Sequence, residues 1–204
     1  WQHPQRGLLG PAEFILAAER SGLIVDIGRW VLAESCRQTA LWQQAGPPLT
    51  VAVNISPVQF HRGGLEGAVQ QALDASGLPP HCLELEITES VLMGDAATLT
   101  DTIRSLKALG VSIAIDDFGT GYSNLGYLQR FAADKIKIDQ SFVRGVLTDP
   151  GQQVIVAAIV QMGLSLQMVP HAEGVEAQSV RDVLLGMGCA TGQGYYFGRP
   201  VPPE

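Results

Sequence analysis

Cysteine is scarce in this chain: Cys36, Cys82 and Cys189 lie far apart among 204 residues, with no Cys-x-x-Cys spacing and no paired histidines among the four present. That scarcity argues against a disulfide framework and against a zinc centre, and it fits reduced thiols in a cytoplasmic protein. Long apolar runs are missing too. The longest, roughly Val154 to Val160, falls well short of the ~18 residues that a membrane helix needs. No signal peptide opens the chain, which starts Trp-Gln-His-Pro with no initiator Met; a processed product or a fragment is expected. Basic residues are few, 13 Lys and Arg against 20 Asp and Glu, for a formal charge of −7. Binding of a nucleic-acid polymer relies on clustered Lys and Arg, so that partner class is not expected. If the ligand is an anion, metal ions must supply the attraction.

What is present is 46% hydrophobic content with 23 glycines, the balance of an α/β protein rich in turns and long enough for one core. Residues 1 to 10 read as loop, and Pro11 starts a helix that stops at Gly22. A second helix runs from about Asp26 to Ala45, where Trp30 and Trp42 are expected in the core. Strands are expected at Leu49 to Ile55, Cys82 to Thr88, Ser112 onward, Lys135 to Asp139, Leu166 to Val169 and Gly192 to Phe197. Amphipathic helices separate them, marked by Leu65/Val69/Leu73, by Leu99/Ile103/Leu106, by a short stretch around Leu125 to Arg130, by Ile155/Ala158/Ile159/Met162 behind an Asp149-Pro150 cap, and by Val180/Leu184. Strands that alternate with helices predict a parallel sheet, open or closed into a barrel.

The placement of polar residues favours the barrel. Asn54, Glu86, Asp116, Lys137, Glu173 and Gln193 fall at or near the C-terminal ends of six successive β runs, the rim on which a (β/α)8 barrel builds its active site. Period two turns Asn54, Glu86, Asp116 and Lys137 inward and sends Val53, Leu85, Ile115 and Ile136 outward under the helices. It also turns Glu84 inward, for which the sequence offers no reason. A barrel wants eight strands and about 250 residues, so two strands are expected to precede Trp1.

The centre of the rim is Asp116-Asp117-Phe118-Gly119-Thr120-Gly121-Tyr122-Ser123. Adjacent carboxylates at a strand end repel one another, and partial burial raises a pKa unless a cation neutralises them. Both reach one site only if the backbone turns there, which Gly119 and Gly121 make easy. Such a pair by itself also fits a solvated turn. An amide, four carboxylates and a lysine on one rim, however, form an oxygen-donor set for a hard cation such as Mg²⁺ or Mn²⁺, and metal-assisted phosphoester hydrolysis is the reaction class that this spacing supports.

The motifs Trp1-x-His3-Pro4, Asn54-Ile55-Ser56, Glu86-Ile87-Thr88-Glu89, Asp116-Asp117-Phe118-Gly119-Thr120-Gly121, Lys137-Ile138-Asp139, Ala172-Glu173-Gly174-Val175-Glu176 and Gln193-Gly194-Tyr195 resemble, in order and spacing, the EAL-domain family of cyclic di-GMP phosphodiesterases. The resemblance implies a (β/α)8 TIM-like barrel, here with its first two strands missing. It also implies a cytoplasmic bacterial signalling hydrolase that uses two Mg²⁺ or Mn²⁺ ions to convert cyclic di-GMP to linear pGpG. Asn54, Glu86 and Asp116 would hold one metal, with Asp116 shared by a second that Asp117 also binds. Lys137 would orient or deprotonate the attacking water, Glu173 would position it or act as base, and Gln193 would join that network. Glu89 would anchor the loop from Asp117 to Ser123, which in the family couples metal binding to dimerisation; a homodimer attached to sensory or GGDEF-type domains is implied.

Two departures stand out. Asn124 replaces a serine usual in that loop, and the family's Glu-Ala-Leu triplet, a metal ligand included, would lie just before Trp1, so residues 1–204 are expected to be an N-terminally truncated EAL domain. The missing ligand keeps a second function open, a catalytically impaired domain that serves as a cyclic di-GMP receptor or protein-interaction module. A third, an enolase-like metal-dependent lyase, follows from Lys135-x-Lys137 beside acidic strand ends. Asp116-Asp117-Phe118-Gly119 matches a kinase metal motif, but the kinase glycine loop and catalytic loop are missing. Lys135, His3, His61, His81 and Cys82 are read as structural, and His171 as a loop-packing residue.

Overall fold

A computed structural model of the chain describes residues 1–93, 96–120, 128 and 131–202. The first ten residues are not plain loop. They form a short antiparallel hairpin, β1 (Gln2–His3) with β2 (Gly7–Leu8), closed by Gly7 at φ 73° and by His3 Nδ1, which accepts the N–H groups of Gln5 and Arg6. The side chain of His3 thus builds the turn that composition alone hid.

Six strands follow in one parallel sheet and in sequence order: β3 (Val51–Ile55), β4 (Leu83–Thr88), β5 (Ser112–Phe118), β6 (Lys135–Ile138), β7 (Val169–Ala172) and β8 (Thr191–Gly192). With helices between the strands, this is the curled sheet of a (β/α)8-type barrel, of which the described residues supply six strands. β7 begins where the sequence placed a strand end, because Leu166 and Gln167 finish a helix and Gln167 turns through φ 60°. β8 is only two residues long, and Gly194 to Phe197 form turns instead of the expected strand.

The alternation predicted from parity is present. Leu83, Leu85, Ile87, Ile113, Ile115, Ile136 and Ile138 are at most 1% exposed and form the core between sheet and helices. α1 (Ile15–Ser21) stops at Gly22, φ 79°, where a left-handed residue ends the helix without a Cβ clash. α2 (Ile24–Ala45) buries Ile24, Gly28, Leu32, Cys36 and Thr39, a single stripe at three- and four-residue spacing. Trp30 and Trp42 lie off that stripe. Trp30 is 67% exposed and Trp42 38% exposed, so the expectation of core tryptophans is corrected. Trp30 instead lines, with Trp1, Phe14, Leu23 and Ile27, an apolar groove of about 810 Å³.

α3 (Pro57–Arg62) is an additional helix, not expected above; its signal is Ser56-Pro57-x-Gln59, a capping box with proline at the first helical position. α4 (Leu65–Ser76) and α5 (Ala96–Ala108) carry the expected buried faces. The helix Pro150–Ser165 has the expected cap, Asp149 accepting from the Gly151 N–H at 2.8 Å, but a different face. Val156, Ile159, Val160 and Gly163 are buried, whereas Ile155 is 42% exposed. A helix apolar nearly all round does not reveal its inner face by periodicity; Gly163 decides it, since any Cβ there would meet the Ile136 side chain of β6. The short helix expected around Leu125 to Arg130 and the Ser123-Asn124-Leu125 turn lie, Leu128 excepted, outside the described residues.

Candidate metal centre at the barrel rim

β4, β5 and β6 deliver Glu86, Asp116 and Lys137 to the same face, and Glu173 follows directly after β7, its N–H donating to the Ile138 carbonyl at 3.1 Å. Lys137 is the hub. Its Nζ lies 2.7 Å from Glu86, 2.9 Å from Asp116 and 2.8 Å from Glu173, with the lysine only 3% exposed. Burial alone would lower the ammonium pKa, but hydrogen bonds to Glu173, Glu86 and Asp116 outweigh it and raise it above the ordinary lysine range.

The turn that brings the second aspartate in begins two residues before Gly119, which is itself left-handed at φ 94°. Asp117 itself is left-handed, φ 54°, at a register shift between Ile115 and Phe118, a conformation aspartate tolerates better than most residues. Its N–H donates to Asp116 Oδ1 at 3.0 Å, and its carboxyl is pushed up by burial first and then by the charges of Asp116 and Asp139. Glu173 is likewise pushed up, by burial and by Asp116 and Glu86, against the opposing pull of Lys137.

Carboxylate oxygens of Asp116, Asp117 and Glu173 lie within 4.8 Å of one another, a cluster of hard donors that could hold a divalent cation. Glu86, expected beside Asp116 as a metal ligand, stands outside this triplet in the grip of Lys137. Asn54 lies across from Glu86 in the β3–β4 register and is exposed. Glu89 is 5% exposed, and its Oε2 accepts the Gly119 N–H at 3.1 Å, at the start of the loop it was expected to anchor. Gln193 is fixed through its backbone, donating to Ala172 O at 2.9 Å and accepting from Val175 N at 3.0 Å. Its side chain borders a cleft of about 220 Å³ that also involves Gln140, Arg144, Glu173, Glu176 and Tyr195.

Two inward residues were not given a role by the sequence. Glu84 forms an ion pair with Lys135 at 2.7 Å, which supplies the missing reason for its parity and ties Lys135 away from the rim. His171 sits not in a loop but on β7, opposite Lys137 in register. Thr191 Oγ1 donates its proton to Pro170 O at 2.8 Å, so it accepts from His171 Nδ1 at 3.1 Å, and this assigns the imidazole tautomer. Period two, which puts His171 on the face of Glu173, was the signal for it.

Burial first, then Lys135 and Lys137, push His171 down to about 4 from 6.5. Between those values the unfolded chain binds a proton that the folded chain refuses, so acidification through this window favours unfolding. His171→Gln is expected to flatten the loss of stability between pH 6.5 and 4.5, by about 2 kcal/mol after allowance for solvent screening, in urea titrations at several pH values. Parallel pH profiles for the two proteins would refute this.

The EAL domain family model matches residues 1–200. The bifunctional diguanylate cyclase/cyclic di-GMP phosphodiesterase MucR of Pseudomonas aeruginosa is 46% identical over 205 residues, a match covering 100% of this chain and 30% of MucR. The signaling protein YkoW of Bacillus subtilis is 43% identical over 201 residues, covering 98% of this chain and 25% of YkoW. The chain therefore spans less than a third of the length of these curated relatives. Among solved structures, the PaMucR phosphodiesterase in its c-di-GMP complex superposes with a TM-score of 0.94 at 46% identity, over 99% of this chain and 82% of that one. The FimX EAL domain from Pseudomonas aeruginosa bound to c-di-GMP gives 0.89 at 28% identity, over 100% and 82%. Rim, sheet order and relatives converge, and the chain belongs to the EAL domain family.

Proposed function

We propose that this chain is a cyclic di-GMP-recognising domain of bacterial second-messenger signalling, with metal-dependent hydrolysis to linear pGpG as a second reading of the same site. The observation that carries the proposal is the acidic rim, where Asp116, Asp117 and Glu173 converge beside an ammonium shared with Glu86. Such a rim repels a dinucleotide anion unless cations intervene. The solved relatives with bound c-di-GMP supply the identity of that anion.

The donor set fits Mg²⁺ or Mn²⁺: all oxygen, carboxylate-rich and free of thiol. Asp116, Asp117 and Glu173 would hold one ion, and Asn54, Glu86 and Asp116 another. An ion bound there supplies Lewis-acid stabilisation of the phosphodiester and an acidified water. For their part, the protein groups orient and exclude. Lys137 ties the carboxylates of Glu86, Asp116 and Glu173 together through its three N–H donors, and a water joins that network where one of these carboxylates turns to an ion. Glu173, at the edge of this cluster and bordering the open cleft, is the carboxylate suited to position a water or to take its proton where it does not hold the ion. Gln140, Arg144, Gln193 and Tyr195 border the cleft next to Glu173 with amide, guanidinium and aromatic groups able to engage a phosphate or a base. Glu89 holds the Gly119 turn. Dimerisation, and attachment to GGDEF-type or sensory domains, belong to the same proposal; the bifunctional name of MucR and the 30% share matched support the attachment.

The test is calorimetric titration of cyclic di-GMP into the full chain with Mn²⁺ or with chelator, followed by chromatography of the nucleotide. Saturable binding that needs Mn²⁺ is expected. Appearance of pGpG establishes the hydrolase, binding without turnover establishes the receptor, and no binding in either condition removes both.

A further inference from the structure

One tier below the rim lies a charged pair that the proposed chemistry does not use. Glu84 is 5% exposed, and its two oxygens lie 2.8 and 2.7 Å from Lys135 Nζ. The two residues stand on β4 and β6, with β5 between them; Ala114, Lys135's register partner on β5, is fully buried and carries only a methyl group, which leaves room for the lysine to cross. A buried ion pair adds little net stability compared with apolar packing, so its presence here asks for another reason.

The reason lies in where Lys135 would otherwise go. It shares a strand face with Lys137, two residues and about 7 Å along β6, a span within reach of an extended lysine side chain. Above it, Glu86, Asp116 and Glu173 share the Lys137 ammonium, and Asp117 adds a fourth carboxylate beside Asp116 and Glu173. With Glu84 neutral, that acidic cluster becomes the nearest strong attractor for the Lys135 ammonium. A second ammonium at the rim would cancel much of the negative charge and repel a dication. We infer that Glu84 is a positioning residue that holds Lys135 away from the rim, so that the acidic cluster keeps the net negative charge a divalent cation requires. This rests on the metal-binding reading of the rim.

The experiment is calorimetric titration of Mn²⁺ alone, without nucleotide, into the full chain and its variants, each checked by circular dichroism. Glu84→Gln is expected to weaken Mn²⁺ binding about tenfold, the effect of one added positive charge near the site. Adding Lys135→Met to that variant should bring the affinity back to the parent value, and Lys135→Met alone should not weaken it. Glu84→Asp, which keeps the charge one methylene shorter, serves where Glu84→Gln does not fold; it should weaken binding about threefold and also recover with Lys135→Met. Unchanged affinity in the Glu84 variants, or a double variant as weak as the single one, overturns the inference while leaving the metal site standing. A parent chain that takes up no Mn²⁺ removes the metal site and this inference together.

Discussion

Replacing Lys137 by methionine is expected to lower the stability of the protein by about 3 kcal/mol, because the change leaves three carboxylates crowded at the rim with no ammonium among them. Methionine nearly matches the length of the stem, so the loss reports charge and not a cavity. In a chain of 204 residues that corresponds to a fall in Tm of roughly 6–12 °C. The sign of the pH effect follows from the direction of the shift. The folded ammonium is held above its ordinary range, so its contribution is complete at neutral pH and fades only as pH rises past that range. Added Mn²⁺ should return part of the lost stability, since a dication can replace the missing charge, and should do so more in the variant than in the parent. Calorimetric melting with and without Mn²⁺ measures both. A variant whose Tm matches the parent would mean that Lys137 is a dispensable surface charge, contrary to its 3% exposure.

The site was legible because strands encode it with the simplest period in protein structure. Glu86, Asp116, Lys137 and Glu173 each sit at or just past a strand end with an aliphatic neighbour of opposite parity, and alternation is enough to bring them to one face. What alternation cannot supply is the partner. Glu84 looked anomalous because its reason, Lys135, lies 51 residues away in sequence and two strands away in space. His171 looked like a loop residue because Pro170 precedes it, yet proline is tolerated in this short strand and the imidazole is tied to Thr191 of the next one. Asp117 was legible as a site residue but not as the start of the turn, because Gly119 two residues on, which also adopts a positive φ, accounts for a turn without it.

Helices were less legible than strands where composition removed contrast. The helix Pro150–Ser165 is apolar on most sides, so Ile155 looks as much like core as Val156 does, and only the close approach of Gly163 to Ile136 and Pro170 sets the register. On α2 the aromatic residues misled in the opposite way. Trp30 has the size of a core residue, but the buried stripe from Ile24 to Thr39 is made of small and aliphatic groups that let the helix lie close to α3, where Gly28 meets Gln59.

Replacing Asp116 by asparagine should have the largest effect on chemistry and a small one on the fold. Asp116 is 8% exposed, contacts Lys137 Nζ at 2.9 Å and accepts the Asp117 N–H at 3.0 Å, and it belongs to the triplet with Asp117 and Glu173. Asparagine keeps the shape and one acceptor oxygen, so the turn at Asp117 survives. It removes the charge that both proposed ions would share; on the hydrolase reading that charge is worth several kcal/mol of transition-state stabilisation, and turnover of cyclic di-GMP should then fall by about a thousandfold or more. The same substitution also relieves the repulsion that pushes Asp117 up, so thermal stability without metal should hold or rise slightly, while Mn²⁺ ceases to raise it. The two readouts separate the interpretations. Lost Mn²⁺ stabilisation with an intact melting transition places Asp116 on the ion, whereas an unfolded variant would make it a structural residue. On the hydrolase reading, turnover that survives at the parent rate would put the reaction somewhere other than this rim.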